Sequence, residues 1–308
     1  MRWNFSKAAM FDVVGIGRNS WDRIGLVAAY PPSNTKTEIE VLENQPGGQV
    51  ATTVVTTARL GLRSRYLGKF GDDAAGRAVR GALVHEGIDL SEAKVVPEVS
   101  NQTAFIVVDR TNKTRNVFVY SDPRLKLSPE DFSHESITSG KILYLGGREP
   151  AAALAFARIG KDGGSKILLD ADAVGDGILD LLPLADVVIC PEAFPTRLMG
   201  ERSLERATEW ISRMGPAVVC CTRGADGVIV FCDGALTEMK SIDVDIVDTT
   251  GAGDVFQGGF IYGMIEQWPL ERTLRFASAC AALKCRTLGG QKGIPKLAQV
   301  ETFLAAHA

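Results

Sequence analysis

The feature that most constrains the fold is an alternation of strand-like and helix-like segments after residue 140. Short apolar runs at 142–145, 166–169 and 187–190 are each followed by a stretch with helical spacing. Such alternation predicts parallel strands that are joined by crossover helices. An earlier apolar run, Phe11–Gly17, ends in glycines and predicts one more buried strand. We therefore expect a three-layer α/β/α body.

Two regions do not fit this alternation and predict a second, small β-sheet. Thr37–Val41 alternates apolar and polar residues with period 2, and two strand-like runs flank a polar loop at 110–114. No internal repeat or low-complexity linker divides the chain. We expect one α/β domain over residues 1–308, into which the small sheet, formed by about 23–46 and 100–122, is inserted.

The charge balance excludes several classes of function. The chain has 34 Lys+Arg and 37 Asp+Glu, a net charge of −3, and no run of basic residues. It therefore lacks the clustered cations that nucleic-acid binding needs. No apolar run approaches the roughly 18 residues of a membrane span, and the first residues contain no apolar signal core. We expect a cytoplasmic protein without nucleic-acid or membrane partners.

Histidine and cysteine give no metal or redox signal. The three histidines are scattered without the spacing of metal ligands, so we expect neither a zinc site nor a histidine-based triad. The six cysteines contain no C-x-x-C pair, and most lie in apolar runs. This placement predicts buried, reduced thiols.

The most informative segment is Asp248–Phe260, a polar, glycine-rich turn that runs directly into an apolar helix. Its Gly251-Ala252-Gly253 core leaves backbone N–H groups uncovered at the positive end of the helix, which suits a phosphate or a developing oxyanion. Asp254 follows in the first turn, where a carboxylate can take a proton from a hydroxyl that attacks phosphorus. Taken alone, Asp254 could also be only a helix cap and the glycines only a tight turn.

The whole segment, Asp-Thr-Thr-Gly-Ala-Gly-Asp-x-Phe-x-Gly-Gly-Phe, resembles the C-terminal signature of the ribokinase-like (PfkB) carbohydrate kinases. Four further blocks resemble this family: Asn19-Ser20-Trp21-Asp22, at the position of its sugar-binding aspartate, and then Pro46-Gly47-Gly48, Leu67–Gly76 and Cys221–Gly227. The segments most similar to ketohexokinase-like and fructokinase-like members are Arg115–Tyr120, Gly146–Arg148 and Asp186–Cys190.

The resemblance implies a ribokinase-like fold in which the small sheet is a lid. It also implies transfer of the γ-phosphoryl of ATP to a hydroxyl of a ketohexose- or ribose-like carbohydrate, with Asp254 as general base and the N–H groups of Gly251, Ala252 and Gly253 as the anion hole. The residues implied for the acceptor are Asp22, Gly47, Gly48, Gln49, Thr52 and Arg148. Those implied for the nucleotide are Thr222, Gly224, Gly227, Thr250, Gly251, Ala281, Cys285 and Gly289.

Two departures from the family pattern concern the metal and the acceptor. Many members carry N-x-x-E after the strand at 187–190, which organises Mg²⁺ through bound water. Here Pro191-Glu192-Ala193-Phe194 stands in its place, and Glu192 is the candidate replacement, acting through water. Gln49 and Thr52 stand where the family often has Asn, so the acceptor's identity does not carry over. ATP and Mg²⁺ are the implied cofactors, and a monovalent cation stays open.

Other functions remain open or are excluded on particular residues. A nucleoside kinase or a 2-keto-3-deoxy-sugar-acid kinase fits the same blocks, and Arg110, Arg115 or Arg148 would then meet the acid. A catalytically weak sugar- or nucleotide-binding regulator is suggested by the missing N-x-x-E. No G-x-x-x-x-G-K-[ST] occurs, which excludes a P-loop nucleotide-binding protein. Ser20 stands where the dinucleotide-binding fingerprint needs its third glycine, which argues against a nicotinamide-dependent dehydrogenase.

The small sheet also predicts a partner. Its outer face would carry Ile39, Val41, Val117 and Val119 or their alternates, which is more apolar than an isolated exposed sheet should be. We therefore expect a homodimer that forms through the lid sheets.

Overall fold

The computed structural model describes residues 2–200 and 202–307, so both ends of the predicted 1–308 unit and position 201 lie outside the described residues. The strands are β1 (Phe11–Ile16), β2 (Ser20–Val27), β3 (Val41–Gly47), β4 (Ser64–Leu67), β5 (Lys69–Gly71), β6 (Lys94–Val96), β7 (Thr103–Asp109), β8 (Thr114–Tyr120), β9 (Gly140–Gly146), β10 (Lys166–Asp170), β11 (Val187–Pro191), β12 (Val218–Thr222), β13 (Val228–Cys232) and β14 (Ala235–Met239). The α-helices are α1 (Gln49–Arg59), α2 (Ala74–His85), α3 (His134–Thr138), α4 (Pro150–Asp162), α5 (Ile178–Leu181), α6 (Ala193–Met199), α7 (Leu204–Ser212), α8 (Ala252–Ile265), α9 (Leu270–Cys285) and α10 (Leu297–Ala306).

The large sheet carries helices on both faces. Within the described residues its strand order is β14-β13-β12-β11-β10-β9-β1-β4, parallel except for β13 and β14 at one edge. Successive side chains of a strand point to opposite faces. Val13 therefore lies in one buried cluster with α1, α8 and α9, and Val14 lies in another with α4, α5, α6 and α7. The predicted three-layer α/β/α body is confirmed.

The small sheet has the order β3-β2-β7-β8, with β2 and β7 parallel and the other pairs antiparallel. Residues that pair across the strands share a face. The cleft face, which is turned towards the body, carries Asp22, Ile24, Ala104, Ile106, Arg115, Val117 and Val119. The opposite outer face carries Arg23, Leu42, Phe105, Phe118 and Tyr120.

The prediction of a strand over Thr37–Val41 was wrong. Residues 37–40 form no regular element, and β3 begins only at Val41, where it pairs with Leu26 of β2. Because β2 ends at Val27, the alternating residues before Val41 have little strand beside them with which to bond. Pairing rather than alternation sets the boundary of this strand.

Strand β2 was missed because its pattern is mixed. Its cleft face carries the polar Ser20 and Asp22 together with Ile24, and its outer face carries Trp21 and Arg23. The buried polar pair faces a cavity instead of an apolar core, so the hydrophobic alternation that marks a half-buried strand is absent.

Two expectations from composition can be compared with the structure. All six cysteines are free and buried, as predicted for reduced thiols. In the described part of the chain, no helix combines the length and apolar content that crossing a bilayer requires.

Candidate active site

Two cavities meet at the turn Gly251–Gly253, where α8 begins. The larger one, a cleft of about 380 Å³, lies between the cleft face of the small sheet and the carboxyl ends of the body strands. The second cavity, of about 200 Å³, lies between the β12–β13 turn and helices α8 and α9. Gly251 lines the cleft, whereas Ala252 and Gly253 line the second cavity, so the turn is a shared wall.

The conformation of this turn depends on glycine. Gly251 has φ +74°, in the left-handed region, and a Cβ there would lie 3.0 Å from the Gly290 carbonyl. The Ala252 amide donates to the Thr249 carbonyl at 3.1 Å. Within the residues that the structure describes, the amides of Gly251 and Gly253 have no hydrogen-bond partner. Two such donors at a helix N terminus suit an anion.

Asp254 lines the cleft from the first turn of α8. Burial raises the pKa of Asp254 well above its usual range, and the carboxylate of Asp170 adds to the rise, while Arg115 and Lys284 oppose it. A carboxylate with a raised pKa is a stronger base than an exposed one. The group therefore suits proton abstraction from a hydroxyl bound in the cleft.

Two further carboxylates, Asp170 and Asp172, were missed by the sequence analysis. Asp170 ends β10 and accepts from Tyr144 Oη at 3.3 Å; burial, with Asp172 nearby, raises the pKa of Asp170 to about 7. Asp172 Oδ2 accepts from Gln49 Nε2 at 2.8 Å, and its buried Oδ1 has no partner in the described chain. Their position after a predicted parallel strand was the available signal, because ligands bind at such ends.

The predicted acceptor residues are brought together around Asp22. Asp22 is 5% exposed on β2 and accepts from the Ser20 hydroxyl, and burial raises the pKa of Asp22 to about 6. A Cβ on Gly47 would overlap the Asp22 carboxylate, and Gly48 has φ +93°. Gly48, Gln49, Thr52 and Arg148 line the same cleft.

Three arginines line the cleft with these residues. Arg18 pairs with Glu149 at 2.8 Å, and Arg148 lies 3.5 Å from Asp172. Arg115, on the edge strand β8, donates to Thr249 Oγ1 at 2.7 Å and so joins the small sheet to the turn. Arg110 pairs instead with Glu40 on the surface at 3.0 Å and does not line the cleft.

The predicted nucleotide residues divide between three places. Thr222, Gly224, Gly227, Ala281 and Cys285 line the second cavity, and Thr250 lines the cleft. Gly289 lines neither cavity: its amide donates to Asp248 Oδ2 at 2.8 Å, and a Cβ there would overlap Gln45 of the small sheet.

The predicted metal residue, Glu192, is exposed before α6 and lines neither cavity. Its amide donates to the Thr222 carbonyl at 3.1 Å. Over residues 2–200 and 202–307, no group of three or more His, Cys, Asp or Glu side chains is placed to hold a metal ion.

A doubly wound body, a small sheet facing a polar cleft, and a glycine turn between that cleft and a second cavity define a ribokinase-like small-molecule kinase. The sequence pattern of the "pfkB family carbohydrate kinase" matches residues 10–297, and this chain belongs to that family. It is thus a phosphotransferase with an alcohol group as acceptor.

Individual relatives show the same likeness. The chain is 29% identical to a ribokinase from Haemophilus influenzae over 84% of this chain and 87% of that protein. It is 28% identical to an ATP-dependent ribose-1-phosphate kinase from Halopiger xanaduensis, covering 96% and 99% of the two chains. The solved structure of an Arabidopsis thaliana ribokinase "complexed with Ribose and ATP" has a TM-score of 0.82 at 24% identity and covers 96% of this chain and 98% of that one. The last comparison supports the fold.

Proposed function

We propose that this chain transfers the γ-phosphoryl group of ATP to a hydroxyl of a small carbohydrate that is bound in the cleft. The observation that carries the proposal is the shared wall: Asp254 and Gly251 face the cleft, while Ala252 and Gly253 face the second cavity. A phosphoryl group held at this wall is close to both an acceptor and a nucleotide. We also propose a cytoplasmic location for the protein.

The residues divide the work by position. Asp22 and the partnerless Asp172 Oδ1 accept hydrogen bonds from acceptor hydroxyls. Asp254 takes the proton from the hydroxyl that attacks phosphorus, and the amides of Gly251 and Gly253 stabilise the charge that grows on the transferred group. The second cavity, which is lined by Thr222, Gly224 and Gly227, takes the nucleotide. ATP as phosphoryl donor agrees with the ATP-dependent ribose-1-phosphate kinase among the relatives.

Magnesium is proposed to arrive bound to the nucleotide. Mg²⁺ keeps several waters and is held in kinases mainly by substrate phosphates and one or two carboxylates. Since no cluster of metal ligands stands among the described residues, the phosphates and water would supply most of the ligands of the ion. Glu192, beside Thr222 at the second cavity, would contact it only through water. When bound, the ion would supply charge neutralisation on the phosphates.

The small sheet is proposed to act as a lid that limits the access of water to the cleft. Val117 and Val119 of its cleft face are 48% and 47% exposed, so apolar side chains stand open above the polar floor. Burying them over a bound acceptor would exclude water, which competes with the acceptor for the phosphoryl group.

A second candidate is a kinase for an acceptor that already carries an acidic group. Three arginines line the cleft, and Arg115 has no carboxylate partner within the described residues. Paired guanidinium groups bind phosphate and carboxylate with high specificity. This candidate agrees with the relative named as a ribose-1-phosphate kinase and includes the sugar-acid kinase alternative.

A coupled assay for ADP release tests these candidates together. The purified chain with MgATP would be given pentoses, ketohexoses, nucleosides, sugar phosphates and sugar acids in turn. Activity with a neutral sugar supports the first candidate, and a kcat/KM at least about tenfold higher for an acidic acceptor supports the second. No ADP above background with any acceptor favours a binding regulator and contradicts the proposal.

Acid pH is expected to weaken turnover. Ionised Asp22 accepts stronger, charge-assisted hydrogen bonds than protonated Asp22 does. Burial raises the pKa of Asp22 to about 6, so its ionised fraction falls as the pH falls through this value. From about pH 7 to pH 5 we expect kcat/KM for the acceptor to fall at least about tenfold. The raised pKa of Asp254 acts in the same direction. A flat profile over this range contradicts the assignment of both groups.

We propose that two chains pair through the outer face of the small sheet. This face carries exposed apolar side chains, including Phe105 at 54%, Phe118 at 56% and Tyr120 at 62%. Of the residues predicted for it, Val41, Val117 and Val119 are on the cleft face instead, because they pair with Leu26, Ile106 and Ala104 of that face. An apolar surface of this kind marks an interface.

The Phe118→Glu substitution is expected to convert a dimer to a monomer, because it places a charge in that apolar face. Sedimentation velocity at micromolar concentration measures the change, and Lys7→Glu, on an exposed residue outside the small sheet, is the control. A wild-type protein that sediments as a monomer contradicts the pairing.

A further inference from the structure

Lys284 is completely buried at the C-terminal end of α9. Its Nζ donates to the backbone carbonyl of Asp248 at 2.8 Å. Asp248 directly precedes the Thr249–Gly253 turn that separates the two cavities. Burying an ammonium group costs several kcal/mol unless polar partners compensate. A buried lysine at this position therefore indicates a role for its charge in addition to packing.

The surroundings of Asp248 are occupied by donors of the protein itself. Its Oδ1 accepts from the Thr250 amide at 2.8 Å and the Thr250 hydroxyl at 2.7 Å, and its Oδ2 accepts from the Gly289 amide at 2.8 Å. The amides of Val247 and Asp248 both donate to the Cys285 carbonyl, at 2.9 and 3.1 Å. Hydrogen bonds around Asp248 thus join residues 247–250, the C-terminal end of α9 and the loop at Gly289.

Lys284 also interacts electrostatically with the candidate catalytic residue Asp254. Asp248 and Asp254 both raise the pKa of Lys284 against the lowering caused by burial, and Lys284 lowers that of Asp254. A fixed cation behind an anion-binding turn also favours the negative phosphoryl group in front of it.

We propose that the Lys284 ammonium is a built-in cation that positions the Gly251–Gly253 turn and makes turnover independent of any added monovalent cation. The inference rests on the proposed kinase function. A potassium or ammonium ion bound beside the turn in place of Lys284 would need the oxygens of Asp248 as ligands. Donors of the protein already bond to these oxygens. Lys284 is thus a positioning residue that acts through Asp248.

The first test is the response of the wild-type chain to cations. ADP release and MgADP affinity would be measured in tetramethylammonium buffer, with KCl or NH₄Cl added at constant ionic strength. We expect both quantities to change by less than about twofold, because the charge is already present. Activation of either quantity by more than about fivefold would overturn the proposal.

The second test is chemical rescue. Lys284→Ala leaves a space of about one side chain beside Asp248, and we expect kcat to fall at least about tenfold, with at least half of the loss restored by ammonium. Lys284→Met fills that space with apolar atoms and should lose activity without rescue. A residue with a merely structural role would show no ammonium-specific recovery.

Arg275→Ala is the matched control, since Arg275 is an exposed cation on the same helix, bonded to the His307 carbonyl at 2.6 Å. Wild-type activity in Lys284→Ala, or equal recovery with tetramethylammonium, contradicts the proposal. If Lys284→Ala does not melt cooperatively, the response of the wild-type chain to potassium and ammonium decides on the proposal by itself. If the wild type phosphorylates no acceptor, the kinase proposal fails, and MgADP affinity with and without potassium still tests Lys284.

Discussion

Asp254→Asn is expected to lower kcat at least about a hundredfold while leaving the KM of the acceptor nearly unchanged, since general-base catalysis typically contributes 10²–10⁴ in rate. The amide keeps the size of the carboxylate and its place in the first turn of α8, but it cannot accept the proton of the attacking hydroxyl. The amides of Gly251 and Gly253 remain, so some turnover should persist. Steady-state ADP release with the best acceptor measures both constants.

The control for Asp254 separates catalysis from helix capping. Asp180 also lies in the first turn of a helix, α5, but it is exposed and lines neither cavity. Asp180→Asn should therefore keep kcat within about twofold, because its interaction with the helix dipole is worth less than about 1 kcal/mol in stability. If Asp254→Asn behaves like Asp180→Asn, Asp254 is only a cap.

Asp22→Ala is expected to lower kcat/KM for the acceptor about a hundredfold or more, mainly through KM. The carboxylate is buried on the cleft face of β2, and each hydrogen bond to a charged group contributes about 1.5–3 kcal/mol. Two acceptor hydroxyls bonded to it would account for a loss of this size. The KM of ATP should stay within about threefold, because the second cavity, which we propose for the nucleotide, does not include Asp22.

Arg23→Ala tests whether the effect belongs to the cleft face. Arg23 is the next residue on the same strand and points to the outer face, with its guanidinium 5.6 Å from the Phe105 ring. Its loss should leave both KM values unchanged. An unaltered acceptor KM in Asp22→Ala removes Asp22 from the substrate site.

Much of the site could be predicted because its key residues lie in one continuous segment. Asp248–Phe260 brings glycines, a helix start and Asp254 together by local geometry, so no long-range contact needs to be inferred. Gly48, Gly224 and Gly227, all with positive φ, likewise mark local turns. The alternation after residue 140 predicted the body for the same reason, since each strand and helix is a separate local pattern.

The rest depends on contacts between distant segments. Asp172 lines the cleft, where Gln49 of α1 donates to it. The burial that raises the pKa of Asp170 comes from segments that are distant in the sequence. Lys284 appears as an ordinary charged residue near a helix end until the fold places Asp248 against it. The start of β3 depended on where its partner strand β2 stops.

The two cavities on either side of the shared wall are lined by different parts of the sequence. All residues that line the second cavity fall between Thr222 and Cys285, whereas most of those that line the cleft fall between Arg18 and Asp172. Most substitutions in the earlier part of the chain can therefore alter the cleft without touching the second cavity, which we propose for the nucleotide. Arg115 is an exception, because it bonds to Thr249 beside the glycine turn. For protein engineering, this separation means that a library of substitutions at cleft positions before residue 173 can vary the acceptor that is bound. Asp254 and Gly251–Gly253 then stay unchanged.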